Sequence, residues 1–166
     1  DAELSASLEG ALVDDDTIAL TVAGEFETAD AGTNKRVTIT SKTPSGVYGN
    51  YVINWPDSAA ASIYRVDAKP DPDNRPAAAD LTYTGTAQPL LASGGKTIGE
   101  IGVMEYSLGQ SGGYSDAIPT ATNAGRYEVW YRVDNSVNYM GFTAGPVVVE
   151  IKKADPQITG YPTASG

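Results

Sequence analysis

Hydrophobic and polar residues alternate with period two along much of the chain. From Thr17 to Glu27, Ile18, Leu20, Val22 and Phe26 fall on one side, and Thr17, Thr21, Glu25 and Glu27 on the other. A strand with one buried face has this pattern. Asp30-Ala31-Gly32-Thr33-Asn34 supplies turn chemistry. A second strand comes next, with Val37 and Ile39 opposite Arg36, Thr38 and Thr40. Tyr51, Ile53 and Trp55 predict a third inward row, and Ser62 to Val66 a further β-branched and aromatic run. Lys69 to Pro76 then interrupts the pattern with three prolines in eight residues. Proline fits neither a helix interior nor a central strand. The stretch predicts a domain boundary between residues 68 and 80, with a fairly stiff connector.

Beyond it the alternation resumes. Leu81 to Thr84 reads as a short strand. Met104, Tyr106 and Leu108 alternate with Val103, Glu105 and Ser107, and Gly109 to Gly113 is a turn. Arg126 to Val133 is the strongest strand, with Tyr127, Val129, Tyr131 and Val133 inward, Arg126, Glu128 and Arg132 outward, and Trp130 on the outward side. Val147, Val149 and Ile151 oppose Glu150 and Lys152 in the closing strand. No window carries a helical period. Short, regularly spaced strands with glycine-rich turns predict an all-β chain of two tandem small β-sandwich modules. The first core should bury Ile18, Leu20, Val22, Val37 and Ile39, and the second Tyr127, Val129, Tyr131, Val147 and Val149. A one-residue slip would expose each set together.

Charge narrows the function. Eleven Lys and Arg against 21 Asp and Glu give a formal net charge of -10. A basic surface for nucleic acid is therefore not expected, nor docking on anionic lipid. No stretch approaches the roughly 20 apolar residues that span a bilayer, so no membrane insertion of this segment is expected. There is no cysteine and no histidine, which rules out disulfides, thiolate metal sites, and Ser-His-Asp or Cys-His nucleophiles.

The remaining candidate chemistry is sparse. Gly94-Gly95-Lys96-Thr97 has part of a phosphate loop, but without the first glycine at the required spacing or a following helix. Glu25, Glu27, Glu105, Glu128 and Glu150 could supply paired carboxylates, yet all take outward strand positions and read as a solvated face. Asp14, Asp15 and Asp16, and Asp71, Asp73 and Asn74, cluster hard oxygen ligands that could take calcium, neither with EF-hand spacing. Trp130 is the candidate ligand contact, because an outward ring can stack on a sugar or a partner; cover by a loop is the alternative. An intramolecular Lys-Asn cross-link is disfavoured by the apolar inward rows.

Several stretches resemble a known group. Leu81-Thr82-Tyr83-Thr84-Gly85-Thr86-Ala87-Gln88-Pro89-Leu90 looks like the opening of the bacterial Ig-like modules called MBG domains, and Met104-Glu105-Tyr106-Ser107-Leu108 resembles their central strand. Ile118 to Val129 is similar to their most specific stretch, and Asn138-Tyr139 with Val147 to Ile151 completes the likeness. Asp15 to Leu20, Asp30 to Lys35 and Gly49-Asn50-Tyr51 resemble the YDG type of bacterial repeat module. The Tyr-Asp-Gly opening that names that type is absent: either the chain is cut just after the place where it would stand, or the first module lacks its first strand. Residues 155–166 resemble the start of a following module. The resemblance divides the chain into a YDG-like β-sandwich at 1–75, an MBG-like Ig-type β-sandwich at 76–154, and a linker or the start of a following module at 155–166.

The resemblance implies an extracellular place, on a bacterial cell surface or wall, in a large adhesin-like protein. The expected role is a non-catalytic spacer whose partners are neighbouring modules of the same chain, with no cofactor. The rival expectation is a module that binds a host glycan or protein through exposed aromatics. A first module short of a strand should also present an open sheet edge. That edge would either pair with another chain or be shielded by the tail from Asp155.

Overall fold

The computed structural model describes residues 4–8, 12–13, 15–157 and 159–160. The chain is all-β, with no α-helix among these residues. It divides into two compact units, Asp1–Arg65 and Val66–Gly166.

In the first unit, β1 (Ile18–Phe26), β2 (Gly32–Gly46) and β3 (Ser58–Ile63) form one antiparallel sheet in the order β1-β2-β3. The alternation is realised as expected along β1. Ile18, Leu20, Val22 and Phe26 are half-buried, while Thr17, Thr21, Glu25 and Glu27 are exposed. Val37 is 0% exposed, and Ile39 is half-buried. The apolar set therefore shares a face, but only Val37 among the five is fully enclosed. Tyr51, Ile53 and Trp55 are half-buried between exposed Val52 and Asn54, yet this segment joins no sheet. It lies with residues 4–8 against the apolar face of β1 and β2. The described residues of this unit thus make one sheet with strap-like cover, where a second sheet was expected.

The last strand of the unit also lies elsewhere than expected. It runs from Ser58 to Ile63, not from Ser62 to Val66. Three consecutive alanines give it little β propensity; pairing with Lys35 to Thr38 of β2 decides its state. Tyr64, expected within the strand, is 83% exposed.

The strands of the second unit take their numbers in chain order: β4 (Val66–Asp67), β5 (Ala77–Ala78), β6 (Leu81–Thr82), β7 (Gln88–Pro89), β8 (Leu91–Ser93), β9 (Met104–Leu108), β10 (Thr120–Ala121), β11 (Gly125–Val133), β12 (Tyr139–Met140) and β13 (Phe142–Lys152). A four-stranded sheet, β6-β13-β11-β9, is the backbone of the unit; β6 runs parallel to β13, and the other pairs are antiparallel. Two small antiparallel pairs, β5-β8 and β7-β10, carry Leu90 and Leu91 onto the sheet. There they pack with Tyr106, Val129, Tyr131, Val149 and Ile151. Burying each such side chain contributes about 1.5–3 kcal/mol. Tyr127 and Val147, expected in the core, are only half-buried at its margin, and Leu108 is exposed where β9 ends in its turn.

The proline-rich stretch is not a free connector. Asp71 N–H donates to the Lys96 carbonyl at 2.9 Å, Lys96 N–H to the Asn74 carbonyl at 2.8 Å, and Ile98 N–H to the Lys69 carbonyl at 2.9 Å. Pro76 is buried. The donors are the non-proline residues, so residues 69–76 and 94–98 satisfy one another despite the missing proline N–H groups. Two segments that each read as loops are thereby folded together inside the second unit. The division between units falls ahead of them, at Arg65 and Val66.

Candidate functional site

Trp130 stands on the outward face of β11. Its Cα partner on β9 is Ser107. On the β13 side the register slips, since Val129 pairs with Val147 but Tyr131 with Ala144. Trp130 therefore faces Gly145 and Pro146. A Cβ on Gly145 would come within 3.3 Å of the Trp130 ring and 3.1 Å of its Cα, and Gly145 has φ +126. Only glycine fits so close to the indole with that backbone. Trp130 is half-buried beside this bulge.

Next to it on the same face, Arg132 donates from Nε to Glu105 Oε2 at 2.8 Å and lies 4.4 Å over the Tyr114 ring. Glu105 raises the Arg132 pKa above its ordinary value. Tyr114 arrives from the turn after β9, which folds back so that Ser115 exchanges two backbone hydrogen bonds with Tyr106. The sequence marked Arg132 and Glu105 as outward on separate strands. Their pairing was readable once those strands are neighbours, whereas the return of Tyr114 carries no periodic signal.

The acidic clusters separate. Asp71 Oδ1 accepts from Asp73 N–H at 3.0 Å, and Oδ2 from Asn74 Nδ2 at 2.7 Å. The Asn74 amide, then the Asp73 N–H, hold the Asp71 carboxyl below the usual carboxylate range. Both carboxylate oxygens thus close a tight turn. Asp16 Oδ2 accepts from the Tyr51 hydroxyl at 2.7 Å, and that hydroxyl accepts from Val13 N–H at 2.9 Å. Asp15 is exposed, and Asp14 lies outside the described residues. No group of three or more His, Cys, Asp or Glu gathers at metal-ligand spacing among the described residues.

Glu25, Glu27, Glu128 and Glu150 are exposed, with Glu128 3.6 Å from Arg126, whereas Glu105, expected on the same solvated face, is half-buried against Arg132. Lys96 pairs with Glu100 at 2.8 Å, so the lysine of the glycine-rich segment is engaged beside its own turn.

One cavity lies in the first unit. It encloses about 630 Å³ between the straps and the sheet, lined by Leu4, Leu8, Leu20, Val22, Ile39 and Trp55, with Ser5, Ser7 and Asn54 among its few polar groups. No ionisable side chain lines it among the described residues. Such a space can exclude water from an apolar surface.

Similarity to a known family falls within the first of the two units. A YDG domain is found at residues 1–61. The YDG domain ends within β3, inside the first compact unit. No curated protein and no solved structure matches the chain.

Proposed function

We propose that the chain is a non-catalytic structural segment of a large bacterial cell-surface, adhesin-like protein, in which a YDG module is followed by an MBG-like, Ig-type module. The observation that carries this reading is the tandem of two compact β units, the first containing the YDG domain. The likeness of Leu81 to Leu90, Ile118 to Val129 and Val147 to Ile151 to MBG modules supports the second assignment. Its four-stranded sheet, closed by small strand pairs over one apolar core, is compatible with it. The role is to add rigid length between other parts of the protein, with neighbouring modules as its partners and the extracellular surface as its place. A negative, well-solvated exterior suits that setting.

The experiment is a paired screen of the purified chain: a glycan array, and turnover assays on glycosides, esters and peptides. The spacer reading expects background in both. Glycan binding that Trp130→Ala abolishes, without changing the unfolding midpoint, would replace it with a lectin-like role. Turnover abolished by replacing one carboxylate would replace it with an enzyme.

A further inference from the structure

Two peptide bonds join aspartate to proline, one from Asp71 to Pro72 and one from Asp155 to Pro156. This linkage has chemistry of its own. The aspartate side chain can reach its own main-chain carbonyl carbon and close a small ring. The proline nitrogen carries no N–H, so it cannot attack the side chain in return, the step that turns aspartate into a succinimide before other residues. What is left is expulsion of the nitrogen and a break in the chain.

The two bonds stand in opposite surroundings. Asp71 is half-buried, and both its carboxylate oxygens are engaged in the turn by Asp73 and Asn74. Its N–H donates to the Lys96 carbonyl, and its own carbonyl accepts the Asn74 N–H at 3.3 Å. A carboxylate held through both oxygens, beside a carbonyl that is held as well, cannot swing onto that carbonyl without dismantling the turn. Asp155 is exposed, as are Ala154, Pro156 and Gln157, all outside any strand. Gln157 Nε2 stands 3.5 Å from Asp155 Oδ2, beyond the usual hydrogen-bond distance, and leaves the carboxyl free to turn.

The second unit is fastened just ahead of this point. Ile151 and Lys152 of β13 pair with Leu81 and Thr82, and Lys152 Nζ lies 2.6 Å from Asp80 Oδ1. β13 ends at Lys152, and Ile151 is the last residue of the core among the described residues. A break after Asp155 therefore removes no strand and no core side chain.

We propose that the bond between Asp155 and Pro156 is an acid-triggered release point, at which the chain cuts itself and leaves the second unit folded. A side-chain carboxyl oxygen of Asp155 forms a bond to the Asp155 carbonyl carbon. The bond from that carbon to the Pro156 nitrogen breaks, and the nitrogen keeps the electron pair and takes up a proton. One water then opens the cyclic anhydride left on Asp155, giving a free α-carboxyl and restoring the side chain. The net reaction consumes one water. Mild acid, near the ordinary aspartate pKa of about 3.9, supplies the proton. Such a release works whether or not the chain serves as a spacer.

The 166-residue chain is held at about pH 4, at a temperature where circular dichroism shows it folded, and followed over days by intact-mass spectrometry. Residues 156–166 should be lost while the bond after Asp71 stays whole, and at neutral pH the chain should stay intact. In denaturant at the same acid pH, the two bonds should break at comparable rates. Asp155→Ala removes the attacking carboxyl and should abolish the cut. Pro156→Ala restores an N–H and should divert the site to isomerised aspartate in an unbroken chain. In heavy-oxygen water, label should enter either carboxyl of Asp155, because the anhydride opens at both carbonyls. Five results overturn the proposal: no cut after Asp155, a cut that survives Asp155→Ala, or equal cutting at neutral pH; equally fast cutting after Asp71 in the folded chain, or a preference for Asp155 that persists in denaturant. Label in the α-carboxyl alone does so too, since it means direct attack by water.

Discussion

The Tyr106 hydroxyl donates to the Gly94 carbonyl at 2.7 Å. It thereby ties β9, in the main sheet, to the glycine turn that closes over the proline-rich stretch. Burial of Tyr106 raises its pKa above the ordinary tyrosine value, so the phenol stays protonated and donating at neutral pH. Tyr106→Phe removes that donor and should cost about 1 kcal/mol. The expected readout is a fall of the second unit's thermal midpoint by about 4–8 °C. Gly94→Ala should cost more, because the added Cβ would lie 2.2 Å from the Tyr106 hydroxyl oxygen.

Leu90 is 0% exposed and stands at the centre of the second core. Leu90→Ala should destabilise that unit by about 2–5 kcal/mol through lost burial and the cavity left behind. Chemical denaturation monitored by tyrosine fluorescence, with an unchanged m-value, would verify it.

Acid should loosen the second unit. Asp71, Asp80 and Glu100 all have lowered pKa values: Asp71 chiefly through the Asn74 amide, Asp80 through Lys152, and Glu100 through Lys96. A carboxylate depressed in the folded state contributes stability above its unfolded pKa of about 4, and that contribution is lost as pH falls through the folded value. Stability should thus be level near neutrality and decline below about pH 4. Asp71→Asn should flatten part of that decline in a pH series of unfolding midpoints. A series that is no flatter than that of the parent chain would count against the Asp71 turn.

Lys35 closes the β1–β2 hairpin. Its ammonium donates to the Thr28 carbonyl and hydroxyl, each at 2.7 Å, and to the Asp30 carbonyl. Lys35→Met retains the stem but removes these donors. Amide exchange should quicken across residues 27–35 while the centre of β2 keeps its protection.

The exposed Tyr64 and Arg65 lie where the two units divide, and Lys69 and Arg75 each precede a proline. Trypsin does not cut before proline. Limited digestion should therefore cleave after Arg65 before any other site between residues 60 and 80, a result that mass spectrometry of the fragments would establish. Early cleavage within 69–76 by a second protease of broad specificity would contradict the folding of that stretch into the second unit.

These residues also show what the sequence could disclose. Val37, Val129, Tyr131 and Val149 were legible as core because period-two alternation records which face is buried. The strand at Ser58 was not, since alanine has little preference of its own and its state is set by a neighbour distant in sequence. The pairing of residues 69–76 with 94–98 was hidden for a related reason. Proline and glycine announce a break in local regularity, but say nothing about which other break will satisfy their backbone. At the candidate surface, Trp130 was placed on the correct face. Its support by Gly145 depends on a register slip that no residue pattern marks, and the return of Tyr114 to Arg132 is a loop conformation.

The parallel pairing in the second unit bears on how it would respond to load. β4 pairs in parallel with β12, and β6 with β13, so early strands lie alongside late ones and run in the same direction. Tension applied through the two ends of the unit pulls the members of each pair lengthwise past one another. Bonds such as that from Tyr83 N–H to the Lys152 carbonyl, at 2.8 Å, then share the strain together instead of opening one after another like a zip. An element this short resists by concerted rupture, and its resistance is set by an unfolding rate under force more than by equilibrium stability.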